Sequence, residues 1–335
     1  MFDTKVINLF GEKVELNDNK GQLEKDFIIP PFSVFDTKQG YWQDRKRLWK
    51  NIGIKSELGR GDNLTFGLNC FDYEDEKLRI EMNKLGKCLP KTFDEEKYGK
   101  KMESNQTSIF DPVLCEIMYK WFNVKKGLIY DCFAGGSVRG IVAEMLGYKY
   151  TGIDLSNKQI EANKINAQEI GIHPTWYCDD SKNVDKYLKD NSVDMIFSCP
   201  PYYDLEIYSD DKNDLSNMEW QEFRQAYYEI ITKACNKLKN DRFAIFVVGD
   251  MRDKDGYYRN FVDYTKWCFN KNGLKTYNEI ILLNALGTSM LRCKAPFNAN
   301  RKLTKVHQNI VIFYKGDVKN IKNNYGLLLD ETDII

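Results

Sequence analysis

The sequence predicts an α/β fold: a doubly wound, mostly parallel seven-stranded sheet with one antiparallel strand, preceded by a small N-terminal region of different rhythm. Three observations predict it. Strand-like and helix-like segments alternate from about residue 106 to 318. Acids, glycines and prolines gather where apolar strands end, which is where open α/β sheets place their ligands. The alternation breaks only at the end, where two strands succeed one another with no helical pattern between them, and this implies the antiparallel strand near one edge.

The elements follow in order. Gly127 to Asp131 is a short buried strand that runs into Gly135 and Gly136, and Val138 to Leu146 is a helix. Lys149 to Asp154 is the second strand; Ser156 with Gln159 three residues on forms a capping box for the next helix. Thr175 to Tyr177 and Val193 to Ser198 are the third and fourth strands. Ser216 with Glu219 suggests a second capping box before a long helix with Trp220, Phe223, Tyr227, Ile230, Ile231, Ala234 and Leu238 on its apolar face. Arg242 to Gly249 is a strongly apolar strand, Phe261 to Phe269 a helix, and Tyr277 to Asn284 and Asn309 to Tyr314 the last two strands. The expected organisation is an N-terminal region over 1–105, a main domain over 106–318 and a tail over 319–335.

Composition narrows the class. At 42% hydrophobic and 29% charged residues the chain is that of a globular protein in water. No apolar run approaches the roughly twenty residues of a membrane span. The first thirty residues contain no signal-peptide core, so a cytoplasmic location with reduced thiols is expected. Nine cysteines without a Cys-x-x-Cys pair, and only His173 and His307, argue against a metal site. Net charge is zero, so a polyanion would need local basic patches.

Asp131-Cys132-Phe133-Ala134-Gly135-Gly136-Ser137 lies between a strand and a helix, and its small residues let a ligand approach the backbone. Asp154 closes the next strand, placed to accept from ribose hydroxyls, and Asp180 follows the third strand, placed to accept from an adenine amino group. Glycine turn and strand-end acids describe a nucleoside pocket. The dinucleotide pattern G-x-G-x-x-G is absent, and phosphate would be repelled by Asp131. A cofactor carrying a sulfonium and an ammonium suits that carboxylate, so S-adenosylmethionine fits and NAD fits poorly. The competing structural reading is a doubly wound fold with incidental glycines.

Ser198-Cys199-Pro200-Pro201-Tyr202 ends the fourth strand. Two prolines cannot continue a ladder, and they make a rigid lip at the strand's carboxyl end. The aromatic ring after it offers a face for a flat heterocycle. A proline-rich strand exit with a packed tyrosine is the plain alternative.

These motifs resemble those of the DNA amino-methyltransferases, which methylate N6 of adenine or N4 of cytosine. Asp131 to Ser137 is similar to the family's Asp-Pro-Phe-x-Gly-Ser-Gly, and Cys199-Pro200-Pro201-Tyr202 to its Asp/Asn/Ser-Pro-Pro-aromatic motif. His307 to Lys315 resembles the late strand, and Ser108 to Trp121, with Asp111-Pro112, occupies the place of the helix that contacts the methionine part of the cofactor. The resemblance covers about residues 106–316; Pro30 to Val34 and Gln39 to Gln43 are similar to stretches in methylases of phages and other mobile elements, where restriction-modification systems also occur. It implies a Rossmann-like methyltransferase fold, S-adenosylmethionine held by Asp111, Asp131, Phe133, Ala134, Gly135, Gly136, Ser137, Asp154 and Asp180, and direct methyl transfer to a flipped base at Ser198, Cys199, Pro200, Pro201 and Tyr202. Cys132, Ser137 and above all Cys199 depart from the pattern. A thiol is a poor acceptor for the target amine, which leaves the Ser198 hydroxyl, the Cys199 carbonyl or Asp204 for that role.

Other readings stand beside it. Cys199 as a nucleophile would suit C5 methylation of pyrimidines, although that family has its proline before the cysteine. A non-catalytic relic that binds DNA or the cofactor, and methylation of a protein glutamine, are further alternatives. Two basic patches suggest DNA contacts: Arg45, Lys46, Arg47 and Lys50 interleaved with aromatics, and Arg292, Lys294, Arg301, Lys302 and Lys305 between the last strands. The plain reading of the first is an amphipathic helix whose Trp42, Leu48 and Trp49 pack on the main domain. Asp204, Glu206, Asp210, Asp211 and Asp214 crowd the loop after Tyr202, an awkward neighbour for a polyanion.

Overall fold

The computed structural model describes residues 5–7, 13–15, 28–55, 110–203, 214–284 and 289–326. β1 (Lys5–Ile7) and β2 (Lys13–Glu15) pair as an antiparallel ribbon. β3 (Val34–Asp36) leads into α1 (Gly40–Asn51). From α2 (Pro112–Phe122) onward strands and helices alternate: β4 (Leu128–Asp131), α3 (Val138–Met145), β5 (Lys149–Asp154), α4 (Asn157–Ile170), β6 (Thr175–Cys178) and β7 (Val193–Ser198). α5 (Trp220–Lys237), β8 (Leu238–Val248), α6 (Phe261–Lys271) and β9 (Lys275–Leu283) come next. Short helices α7 (Ser289–Arg292) and α8 (Lys294–Asn300) precede β10 (His307–Lys315), and α9 (Ile321–Tyr325) ends the described chain.

The main sheet has the order β3-β9-β10-β8-β7-β4-β5-β6. β10 is antiparallel to both β8 and β9, and the remaining pairs are parallel. This is a doubly wound, Rossmann-like α/β sheet with one reversed strand, as the alternation predicts. It has eight strands rather than seven. The extra one is β3, whose three residues pair with Ile281 to Leu283 of β9. A strand that short carries too little alternation to be read; what holds it is Phe35, 1% exposed, packed against Trp42 and Trp121 at 5.9 and 5.7 Å.

The central strands β4 and β7 are buried on both faces, so successive residues feed two cores. Ile129, Met195, Phe197, Phe243 and Ile245 pack toward α1 to α4, together with Phe35, Trp42 and Trp49. Tyr130, Ile196, Ala244, Phe246 and Val248 pack toward α5 and α6 with Tyr227, Phe261 and Phe269. Residues 28–55 therefore belong to the same body as the sheet.

Local signals held at α4, where the Ser156 hydroxyl accepts from the Gln159 amide at 3.2 Å and Gly171, at φ +82, ends the helix. They misplaced the start of α5. Its box is Glu219 with Glu222, while Ser216 lies in a 3₁₀ turn capped by Asp214. Two competing capping sequences overlap there, and the one that lets Trp220 and Phe223 reach the core prevails. The segment expected to lack helix between β9 and β10 contains α7 and α8, whose apolar residues Met290 and Phe297 are exposed and so leave no amphipathic stripe.

Trp42→Ala removes a side chain that is 0% exposed and also donates from Nε1 to Asp111. Urea unfolding of this variant is expected to show a loss of about 3–5 kcal/mol.

Candidate active site

In this topology the carboxyl ends of β4, β5, β6, β7 and β8 share one edge. The amino end of the reversed β10 lies on it too, since Asn309 pairs with Val248 and His307 with Leu283. The glycine turn, Asp154, Asp180, the Pro-Pro lip and the chain between β9 and β10 all emerge there.

Asp131 ends β4 completely buried. One carboxylate oxygen accepts from Arg139 Nε at 2.5 Å and the Tyr150 hydroxyl at 2.8 Å. The other accepts from the Ser198 hydroxyl at 2.6 Å and the Phe133 amide at 3.2 Å. Arg139, 5% exposed, reaches back from α3 to the carbonyls of Phe133 and Ala134 at 2.5 and 2.9 Å, and lies over the Phe110 ring at 4.6 Å. Burial works against the Arg139 charge, but Asp131 outweighs it and holds the guanidinium firmly ionised. This corrects the expectation for Asp131: its carboxylate is neutralised inside the fold and does not face a cationic ligand.

The turn itself is held from α4. Gly135 stands at φ +49, a conformation that suits glycine, and its carbonyl accepts from Asn163 Nδ2 at 2.7 Å. The buried Ser137 hydroxyl donates to Asn166 at 2.9 Å, so it is a strut rather than a ligand contact. The Phe133 ring stacks on Tyr227 at 6.0 Å. A Cβ at Gly135 would stand in ordinary contact with the Arg139 guanidinium and the Phe133 carbonyl, at 3.9 and 4.0 Å, with no clash.

Asp154 accepts from the Gly135 amide at 2.8 Å and the Ser156 amide at 2.9 Å. Burial raises its carboxyl above the ordinary value, against the pull of those two amides. Each oxygen keeps a further lone pair. Asp180 accepts from the Lys182 amide at 2.8 Å and pairs with the Lys182 ammonium at 3.1 Å. Asp111 is the N-cap of α2 and binds Trp42 and Lys46, which makes it a joint between α1 and α2.

Ser198 is also sealed: its hydroxyl donates to Asp131 and accepts from the Phe133 amide at 3.1 Å. That corrects its proposed role as acceptor for a substrate amine, because no part of the side chain is exposed. It instead joins the glycine turn to the Pro-Pro lip. Cys199 is half-buried, with its Sγ 3.9 Å from the Tyr202 hydroxyl. Pro200 is buried, Pro201 and Tyr202 half-buried. Tyr202 rests near Gly249, and its hydroxyl accepts from Gln308 Nε2 at 2.8 Å. Tyr203 turns away at φ +51 to pack against Trp220 and Phe223. Asp204, Glu206, Asp210 and Asp211 lie outside the described residues.

The first basic patch is mostly turned inward. Arg45 forks onto the buried Glu116, which also accepts from Trp49 at 2.8 Å and pairs with Lys120 at 2.9 Å. Lys46 pairs with Asp111 at 2.8 Å. Both were expected to meet DNA; the acids beneath them claim their charge instead. Arg47, paired with Asp44, and Lys50 are exposed. The second patch lies on the functional edge. Lys294 and Arg301 are exposed, Lys302 is half-buried beside Gly256, and Met290, Phe297 and Leu303 stand among them at 69%, 43% and 71% exposure. The Arg292 side chain lies outside the described residues.

Sequence reasoning missed Arg139, Gln308, Asn163 and Glu116. Gln308 carried a signal, since it follows His307 at the start of an apolar strand on the reversed edge. The others are single polar residues in helices, and only their partners reveal them. Among the described residues there is no group of three His, Cys, Asp or Glu able to hold a metal, and no helix is long and apolar enough to cross a membrane.

No family model matches this chain, and no curated protein matches it. Solved structures do. TrmN from Thermus thermophilus is 12% identical with a TM-score of 0.42, covering 62% of this chain and 49% of its own, so the chain spans about half the length of that protein. An rRNA methylase from Streptococcus thermophilus is 12% identical with a TM-score of 0.41, covering 63% and 100%. Magnesium protoporphyrin IX methyltransferase from Synechocystis PCC 6803, solved with bound SAM, is 13% identical with a TM-score of 0.36, covering 61% and 76%. At such identity and overlap these likenesses say nothing of the substrate.

Two outcomes follow from the geometry. Arg139→Leu strands the Asp131 carboxylate in the interior and is expected to cost about 3–5 kcal/mol in urea unfolding, with part recovered in the double variant Asp131→Asn/Arg139→Leu. For Glu116, burial pushes the carboxyl up, but Arg45, Lys120 and Trp49 outweigh it and hold it below its ordinary 4.5. A depressed carboxyl stabilises the fold fully above the unfolded value and loses that contribution as pH falls through the folded one. The stability difference between wild type and Glu116→Gln is therefore expected to shrink as unfolding is measured from pH 6 down to pH 3.

Proposed function

We propose that this chain transfers a methyl group from S-adenosylmethionine to the exocyclic amine of a DNA base, adenine N6 or cytosine N4. One observation carries the reading: through Ser198 the glycine turn and the Pro-Pro lip are hydrogen-bonded to the same buried carboxylate and open on one edge of the sheet. A nucleoside pocket and a base-gripping loop that faced opposite edges could not perform the transfer.

The residues present fit the adenosine half of the cofactor. Gly135 presents no side chain at the turn, and Asp154 keeps lone pairs for ribose hydroxyls. Asp180, already bound to Lys182, keeps a further lone pair on each carboxylate oxygen for an adenine amino group. When bound, S-adenosylmethionine supplies an electrophilic methyl on its sulfonium. An exocyclic amine is a weak nucleophile because its lone pair is delocalised into the ring, so the lip must fix its position and offer acceptors. Pro200 and Pro201 make that lip rigid, with the Cys199 carbonyl as a backbone acceptor. The Tyr202 ring, half-exposed and anchored through its hydroxyl by Gln308, is available to stack on a base that has left the duplex. The proton needs no strong base, since methylation acidifies it. Lys294, Arg301 and Lys302 on the same edge, with Arg47 and Lys50, are available for the phosphates.

Calorimetry is expected to detect S-adenosylmethionine binding, weakened on the order of 10–100-fold by Asp154→Ala. Radiolabelled methyl transfer to mixed DNA is expected for wild type, and single-molecule sequencing of DNA from expressing cells reports base and context. No affinity for the cofactor would overturn the proposal. Cys199→Ser is expected to retain activity; if it abolishes both turnover and a covalent adduct on fluorinated cytosine, the chemistry is C5 methylation instead.

A further inference from the structure

The first turns of α5 and α6 flank an open cleft of about 420 Å³, lined by Trp220, Arg224, Arg259, Asp263, Tyr264 and Trp267 among others. Arg224 lies over the Tyr264 ring at 4.4 Å, and Arg259 over Trp220 at 4.7 Å and Tyr203 at 4.8 Å. A guanidinium stacked on a ring keeps its N–H edge free for an oxyanion. Arg259 Nε is buried with no hydrogen-bond partner among the described residues.

The cleft also offers a flat apolar surface. Trp267 stacks on Tyr264 at 5.6 Å and 15°, yet remains 45% exposed. Asp263, the one acid among the described lining residues, points largely to solvent with its side chain 76% exposed. Among the described lining residues, two guanidiniums stand against one solvated carboxylate. An acidic peptide would use the arginines and leave the indole idle; a nucleotide uses both, phosphate on guanidinium and base on ring. Position supports the same occupant. Arg259 lies over the Tyr203 ring, and Tyr203 directly follows Tyr202, so one wall of the cleft packs on the residue next to the lip.

We propose that this cleft is a second nucleotide subsite, which takes one unit of the nucleic-acid strand that flanks the target base. Arg224 and Arg259 hold its phosphate and Trp267 stacks its base. The inference rests on the nucleic-acid reading above for the strand's origin, though not for the chemistry of the cleft.

The test uses the full chain and a labelled twelve-residue oligothymidylate, with binding followed by anisotropy and by tryptophan emission. Trp267→Ala is expected to weaken binding on the order of tenfold. Arg224→Gln is expected to weaken it and to lower the slope of log K against log salt by about one, whereas Trp267→Ala leaves that slope unchanged. Both side chains reach the surface; if Trp267→Ala fails to fold by circular dichroism, Trp267→Leu and Arg224→Gln carry the test. Unchanged affinity in both variants overturns the subsite. A glutamate-rich peptide that binds in an Arg224-dependent way while oligothymidylate does not also overturns it, in favour of a protein partner. Should wild type bind no S-adenosylmethionine but hold the oligonucleotide through Trp267, the subsite stands and only methyl transfer falls. Methyl transfer with variants that bind like wild type removes only the subsite.

Discussion

Everything at the functional edge depends on the buried Asp131 carboxylate. Four donors from four places converge on it: Arg139 from α3, Tyr150 from β5, Ser198 from β7 and the Phe133 amide from the turn itself. An ion removed from water is tolerated only when its charge is met and its lone pairs are occupied. Moving any one of these elements would leave that charge incompletely met, so the interaction locks the three adjacent strands and the glycine turn into one geometry. Arg139 extends the lock to the carbonyls of Phe133 and Ala134, which have no strand partner to bind. The glycine turn and the Pro-Pro lip are thus two projections of a single rigid block.

This arrangement changes how charge is distributed over the candidate pocket. A carboxylate already matched by a guanidinium exerts little field on a ligand, so Asp154 rather than Asp131 is the acid left to meet one. Asp154 is also tied into the turn, through the Gly135 amide, and burial keeps its carboxyl above the ordinary value. The same economy appears at α1. Glu116, buried under the helix, draws Arg45, Lys120 and the Trp49 indole onto itself, and Asp111 draws Lys46 and the Trp42 indole. What looked like a basic-aromatic face for a polyanion is largely the means by which α1 is fastened to α2. Of the cations expected to meet DNA, Arg47 and Lys50 on α1 and Lys294 and Arg301 between β9 and β10 remain exposed.

Legibility followed the range of the interactions. β5 and β7 were read to the residue, because each is bounded closely at its carboxyl end by the strand-end acid or the prolines. The α4 cap was read for the same reason, since Ser156 and Gln159 are three residues apart. β3 was not, because it is held by Ile281 to Leu283 of β9, which lie more than two hundred residues further along the chain. At the site, the glycine turn and the lip were visible as motifs, whereas Ser198 and Asp131 were given roles toward a ligand that they hold toward each other.

The amino-acid sequence on its own determined the order of strands and helices from β4 to β9, the reversed strand, and the residue types gathered at the strand ends, because periodicity, caps and proline act over a few residues. Only the tertiary structure decided which charges are available. Whether Arg45, Asp131 or Ser198 faces a ligand or a neighbour depends on the partner that packing brings within hydrogen-bond reach, and for Arg45 and Ser198 that partner lies more than sixty residues away along the chain.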